Sequence, residues 1–213
     1  MTPAEQSAAA RKICALAPIV PVIVVKELGH AAPLAHALVA GGLPALEVTL
    51  RTPCALDAIR AMSEVEGGVV GAGTLITPAD VKAAKAAGAK FGVSPGATER
   101  LVKACEDEGL PLLPGAVTAS EVMRAMEWGF DMLKFFPAAT SGGTPAIKAL
   151  GGPLPQVSFC PTGGISLQNA NDYLSLPNVL CAGGSWVAPN DKVESGDWAG
   201  VEALAREAAA LPR

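Results

Sequence analysis

Short apolar runs alternate with alanine-rich stretches of helical periodicity from one end of the chain to the other. The runs Val20 to Val25, Ala45 to Leu50, Val69 to Gly73, Lys90 to Ser94, Leu112 to Pro114, Met132 to Phe136, Val157 to Pro161 and Val179 to Ala182 are short and bounded by turn residues, so they are predicted as eight strands. Between them, Ala79 to Ala87 and Ala119 to Trp128 read as amphipathic helices. Their starts are legible: Thr77-Pro78-Ala79-Asp80 puts threonine at the N-cap and proline at the first helical position, and Thr118-Ala119-Ser120-Glu121 is a capping box. Gly68, Gly88, Gly109 and Gly129 recur at intervals of 20, 21 and 20 residues and are expected to be left-handed helix ends. A strand, loop and helix repeated eight times in 213 residues predicts an α/β chain folded as a (β/α)8 TIM barrel rather than an open doubly wound sheet. An additional N-terminal helix, Pro3 to Leu16, is placed across the bottom of the barrel. No linker or low-complexity segment divides the chain, which predicts a single domain over residues 1 to 213.

Composition narrows the partners. Half of the residues are hydrophobic and mean hydropathy is +0.37, yet the longest apolar stretch, Ile13 to Val25, is interrupted by Pro18 and Pro21 and is too short to span a bilayer. The N-terminus starts a helix and lacks a basic signal peptide, so a cytoplasmic protein without membrane contact is expected. Net charge is -4, aromatics make up 4%, and no lysine or arginine cluster occurs, which argues against nucleic acid. The five cysteines are odd in number and widely spaced, and they form no Cys-x-x-Cys pair, so reduced thiols are expected. His30 and His36 have no partner at zinc-ligand spacing, and the expected metal content is none.

In a barrel of this kind, polar residues at the C-terminal strand ends carry the chemistry. Lys134 stands in the strand-like run Asp131-Met132-Leu133-Lys134-Phe135-Phe136-Pro137, where an apolar surround would favour the free, nucleophilic amine over the ammonium. Glu47, Thr49 and Arg51 share one face of the second strand by its period of two. If that face points inward, an amine that attacks a ketone, a carboxylate that moves protons and a guanidinium that binds a carboxylate meet at the mouth, as a keto-acid aldolase needs; a purely structural Glu–Arg pair is the alternative. Lys26, beside Glu27 at the end of the first strand, is the rival nucleophile and reads as solvated. The doublets Gly163-Gly164 and Gly183-Gly184 end the seventh and eighth strands, where this architecture usually binds phosphate.

These residues bring the chain close to a known family. The segments Glu47-Val48-Thr49-Leu50-Arg51-Thr52, Gly71-Ala72-Gly73-Thr74, Gly92-Val93-Ser94-Pro95-Gly96, Leu133-Lys134-Phe135-Phe136-Pro137-Ala138, Pro161-Thr162-Gly163-Gly164-Ile165 and Gly183-Gly184-Ser185-Trp186 resemble the class I, Schiff-base 2-keto-3-deoxy-6-phosphogluconate aldolases. The resemblance implies that Lys134 forms an imine with pyruvate and that Glu47 is the general acid and base. It implies further that Arg51 and Thr74 hold the keto-acid carboxylate, that Pro95 and Phe136 shape the pocket, and that Gly163, Gly164, Gly184 and Ser185 bind phosphate. Thr162 goes with the gluconate substrate in that family, whose other substrates are the galactonate epimer and 4-hydroxy-2-oxoglutarate. A homotrimer with neither metal nor cofactor, acting on a phosphorylated keto acid, is implied as well. Two rival readings of the same residues are a non-covalent sugar-phosphate isomerase and a phosphate-binding barrel in which Lys134 and Glu47 form a silent ion pair.

Overall fold

The computed structural model describes residues 1 to 212; Arg213, where the expected domain ends, lies outside the described residues. The strands are β1 (Ile19–Ile23), β2 (Ala45–Thr49), β3 (Val69–Gly73), β4 (Phe91–Val93), β5 (Leu112–Leu113), β6 (Met132–Phe135), β7 (Ser158–Pro161) and β8 (Ala182–Gly184). Helices α1 (Pro3–Cys14), α2 (Ala31–Ala40), α3 (Ala55–Ser63), α4 (Pro78–Ala86), α5 (Glu99–Glu108), α6 (Ala119–Trp128), α7 (Gly143–Gly151), α8 (Ala170–Leu174), α9 (Asn190–Ser195) and α10 (Trp198–Ala209) alternate with them. The order β5-β4-β3-β2-β1-β8 runs parallel throughout, and β6 pairs parallel with β7. Bridges from Gly115 to Lys134, from Phe159 to Val179 and from Thr162 to Gly183 join these two pieces, which closes the TIM-type barrel.

Alternation along each strand sorts the core into two shells. Leu46, Leu133, Phe135 and Phe159 face outward under the helices, whereas Val20, Phe91, Val93, Leu113, Met132 and Cys160 fill the barrel itself. Helix α1 closes the bottom. Its Ser7 hydroxyl donates to Asp131 Oδ1 at 2.6 Å and accepts the amides of Asp131 and Met132 at 3.0 Å each. Arg11 donates to Ser158 Oγ and to the Asp131 carbonyl at 2.9 Å, so one helix clamps the starts of β6 and β7. Thr2, Thr77 and Thr118 cap α1, α4 and α6 through reciprocal boxes.

Several expectations need adjustment. Gly109 and Gly129 are left-handed caps of α5 and α6, and Gly88 is left-handed one residue beyond the α4 cap, Ala87. Gly68 is no such cap: α3 has already ended at Ser63, and the left-handed residue of that turn is Gly67. β1 stops at Ile23 rather than Val25, because the Val25 carbonyl accepts from Thr52 Oγ1 at 2.6 Å and Cys54 Sγ at 3.3 Å instead of from the sheet. α1 ends at Cys14 rather than Leu16.

The eighth strand is displaced most, from the expected Val179 to Ala182 to the observed Ala182–Gly184. The offset between bridged residues of β7 and its neighbour is 20 at Phe159–Val179 and 21 at Thr162–Gly183, so one extra residue is inserted between them. Leu180 and Cys181 in succession pack on the inner shell, as at a β-bulge, and the regular ladder resumes only at Ala182.

Candidate active site

β6 and β2 aim the two central groups at each other across the barrel mouth. Lys134 is gripped on both backbone sides, its amide donating to the Pro114 carbonyl and its carbonyl accepting from the Ala116 amide at 2.9 Å each. Its Nζ then donates to Glu47 Oε1 at 3.0 Å, with the residues only 4% and 3% exposed. Gly73 makes the room, since a Cβ there would stand 2.4 Å from Glu47 Oε1. A buried ion pair is an expensive arrangement for stability alone, because apolar residues of the same volume are often as good.

The apolar environment of the amine differs from the one the sequence suggests. Leu133 and Phe135 point outward into the helix layer, Phe135 stacking edge-on against Phe159. Of the apolar residues Leu133, Phe135 and Phe136 that flank Lys134 in the sequence, only Phe136 faces the amine, with its ring centre 5.2 Å from Nζ.

Arg51 stands above this pair, exposed, and its Nε donates to Thr74 Oγ1 at 3.0 Å. Thr74 has φ of 63°, the sole positive value at a non-glycine residue among those described. That conformation costs roughly 1 to 2 kcal/mol, and strain of this kind concentrates at functional sites. Thr49, expected beside them, is fully buried and donates to the Ile23 carbonyl at 3.0 Å, so it ties β2 to β1 rather than serving the mouth.

A cavity of about 210 Å³ opens from Lys134, walled by Arg51, Phe136, Thr162, the Gly163-Gly164 turn and Ser185. Gly163 and Gly164 are consecutively left-handed, and a Cβ on Gly164 would lie 2.5 Å from Ala139. Those positions therefore exclude side chains and leave backbone facing the cavity. Val22 and Val24 also line it and were not singled out in the sequence, and Ile165 and Gly183, which entered there only as parts of motifs, line it too. A Cβ on Gly183 would meet Thr162 Oγ1 at 2.3 Å, a crowding that the second glycine doublet alone could have signalled. Gly184 is set back, its missing side chain making room for the Trp186 ring, and Pro95 is exposed at the end of β4 outside the cavity lining. Lys26 pairs with Glu194 at 2.8 Å, both exposed, and takes no part. A larger hollow of 530 Å³ lies on the flank among Glu99, Lys103 and Trp128, where Lys103 is already paired with Glu106 and Asp107.

Fold and site together define a barrel enzyme with a buried lysine–glutamate pair at the base of a cavity walled by Arg51 and a glycine turn. The chain belongs to the KDPG and KHG aldolase family, whose profile it matches over residues 10–204. It is 54% identical over 200 residues to the KHG/KDPG aldolase of Escherichia coli K12, a match covering 93% of this chain and 94% of that one. With the 2-dehydro-3-deoxy-phosphogluconate aldolase of Pseudoalteromonas atlantica it shares 54% identity over 194 residues, covering 91% and 90%. Among solved structures, the Zymomonas mobilis 2-keto-3-deoxy-6-phosphogluconate aldolase with 3-phosphoglycerate superposes with a TM-score of 0.91 at 50% identity, covering 95% of each chain. The Legionella pneumophila KDPG aldolase, with pyruvate captured as a covalent carbinolamine, also gives 0.91, at 45% identity over 94% of this chain and 98% of that one.

Proposed function

We propose that this protein is a class I aldolase that reversibly cleaves 2-keto-3-deoxy-6-phosphogluconate to pyruvate and glyceraldehyde 3-phosphate through an imine at Lys134. The observation that carries this reading is the 3.0 Å contact between Lys134 Nζ and Glu47 Oε1 at the base of an open cavity. The Lys134 ammonium passes a proton to Glu47, and the freed amine attacks the C2 ketone to give a carbinolamine. Glu47 returns the proton to the new hydroxyl, water departs, and a cationic imine remains. When the C3–C4 bond breaks, its electron pair enters the imine and forms an enamine, while Glu47, directly or through water, takes the proton of the C4 hydroxyl. Protonation of the enamine at C3 and attack of water on the imine release pyruvate and restore the amine.

Arg51 binds the substrate carboxylate, oriented by Thr74, and Phe136 packs over the imine carbon. Gly163, Gly164, Gly184 and Ser185 receive the phosphate, the glycines through backbone amides, and Pro95 borders the entrance. Thr162 favours the gluconate configuration. The relative named for both substrates supports a second, weaker activity on 4-hydroxy-2-oxoglutarate. Five free thiols fit a reducing, cytoplasmic setting, although the structure itself gives only that no helix among the described residues is long and apolar enough to cross a membrane. The family resemblance supports a homotrimer as the working form.

Pyruvate release should be measured from the gluconate, galactonate and hydroxyoxoglutarate substrates side by side in EDTA. The gluconate is expected to give the highest kcat/KM. No pyruvate from any of them would leave the phosphate-binding barrel as the better account, and a higher value for the galactonate would reassign Thr162.

A further inference from the structure

Beneath the Lys134 layer the inner shell holds a group that the aldol chemistry does not use. Cys14 ends α1, Cys160 lies on β7 as the register partner of Lys134, and Cys181 is turned inward by the bulge before β8. They are 3%, 2% and 0% exposed, and each thiol is within hydrogen-bonding reach of the other two. The remaining cysteines lie apart. Cys54 donates to the Val25 carbonyl, and Cys105 sits in the outer shell, where burial pushes its thiol up to about 12. Among the described residues no group of three or more histidine, cysteine or acidic side chains is disposed to hold a metal ion. The chemistry open to three converging thiols is then exchange between sulfurs.

We propose that Cys14, Cys160 and Cys181 form a peroxide-responsive thiol site in the barrel floor, in which a Cys14–Cys160 disulfide staples α1 to β7. The Cys160 sulfur attacks one oxygen of hydrogen peroxide, the O–O bond breaks, and a sulfenic acid and one water result. The Cys14 sulfur then attacks Cys160, the S–O bond breaks, and hydroxide leaves with the Cys14 proton as a second water. Two thiols lose two electrons and two protons, and the peroxide accepts them. Cys160 is suited to the first step because hydrogen bonds from the Cys14 and Cys181 thiols, helped by the Lys134 charge, hold its pKa well below the ordinary thiol value. Cys14 suits the second, since it ends α1 at the edge of the shell, next to the exposed Ala15 and Leu16. The bond would close a loop from residue 14 to residue 160, long enough to restrict the unfolded chain strongly.

The test exposes reduced native protein to equimolar hydrogen peroxide, alkylates the remaining thiols in denaturant, and maps the non-reduced digest by mass spectrometry. The expected result is loss of two of the five thiols, a Cys14–Cys160 linked peptide pair, and alkylated Cys54 and Cys105. Tm should rise by about 5 to 15 °C and fall back with dithiothreitol. Cys14→Ala, a change at the edge of the shell, should abolish that rise, while Cys54→Ala should keep it. Oxidation confined to Cys54, single sulfenic or sulfinic acids without a cross-link, a bond between Cys160 and Cys181 alone, or an equal rise in Cys14→Ala would each overturn the proposal.

Discussion

Glu47 and Lys134 are almost stripped of water, and each would be costly without the other. Their value therefore shows in what is lost when one keeps its shape but not its chemistry. Glu47→Gln still accepts a hydrogen bond from Lys134 but cannot carry a proton, so kcat is expected to fall about 100-fold to 10,000-fold with little change in KM. Steady-state kinetics checks this, and a variant with wild-type kcat and only a lower Tm would make Glu47 a structural partner. At this scale the sequence was informative wherever a strand's alternation or a glycine doublet fixes direction: Lys134, Glu47 and Arg51 converge as their positions suggest. It was silent where the signal is a missing atom or a contact across strands. Nothing local marks Gly73 as the space for the carboxylate, nor shows that the Thr49 hydroxyl is taken by Ile23.

The helices were legible at their starts, because a threonine followed three residues later by an acid satisfies amides within a single turn. The strand ends were less so, since they depend on which neighbour takes each carbonyl, as at Val25, and the bulge that delays β8 arises from register between distant segments. The docking of α1 on the barrel floor is another such long-range feature, and it makes stability depend on pH. Burial raises the Asp131 pKa, but the hydroxyl of Ser7 and the charge of Arg11 outweigh it, and the net shift is downward. A depressed folded-state pKa contributes stability above the unfolded value near 3.9, and that contribution is lost as pH falls through the still lower folded value. Asp131→Asn should therefore lower Tm at pH 7, and the gap from wild type should close progressively below about pH 4. A gap constant from pH 7 to pH 2.5 would mean that the carboxylate charge does not hold the helix.

Across the whole molecule, the proposed mechanism puts imine chemistry on β2 and β6 and phosphate binding on the loops after β7 and β8, so the two can be separated by experiment. Ser185→Ala removes one hydrogen bond to a charged group, worth about 1.5 to 3 kcal/mol, or roughly tenfold or somewhat more in kcat/KM. That loss should appear with the phosphorylated substrate and be small with 4-hydroxy-2-oxoglutarate; an equal loss for both would show that the loop shapes the barrel without reading phosphate. The central claim is the covalent bond to Lys134, and mixing the protein with pyruvate and borohydride, then mapping the modified peptide by mass spectrometry, tests it most directly. A reduced pyruvate adduct on Lys134 is the expected result, and an adduct on Lys26, or none while cleavage proceeds, would contradict it.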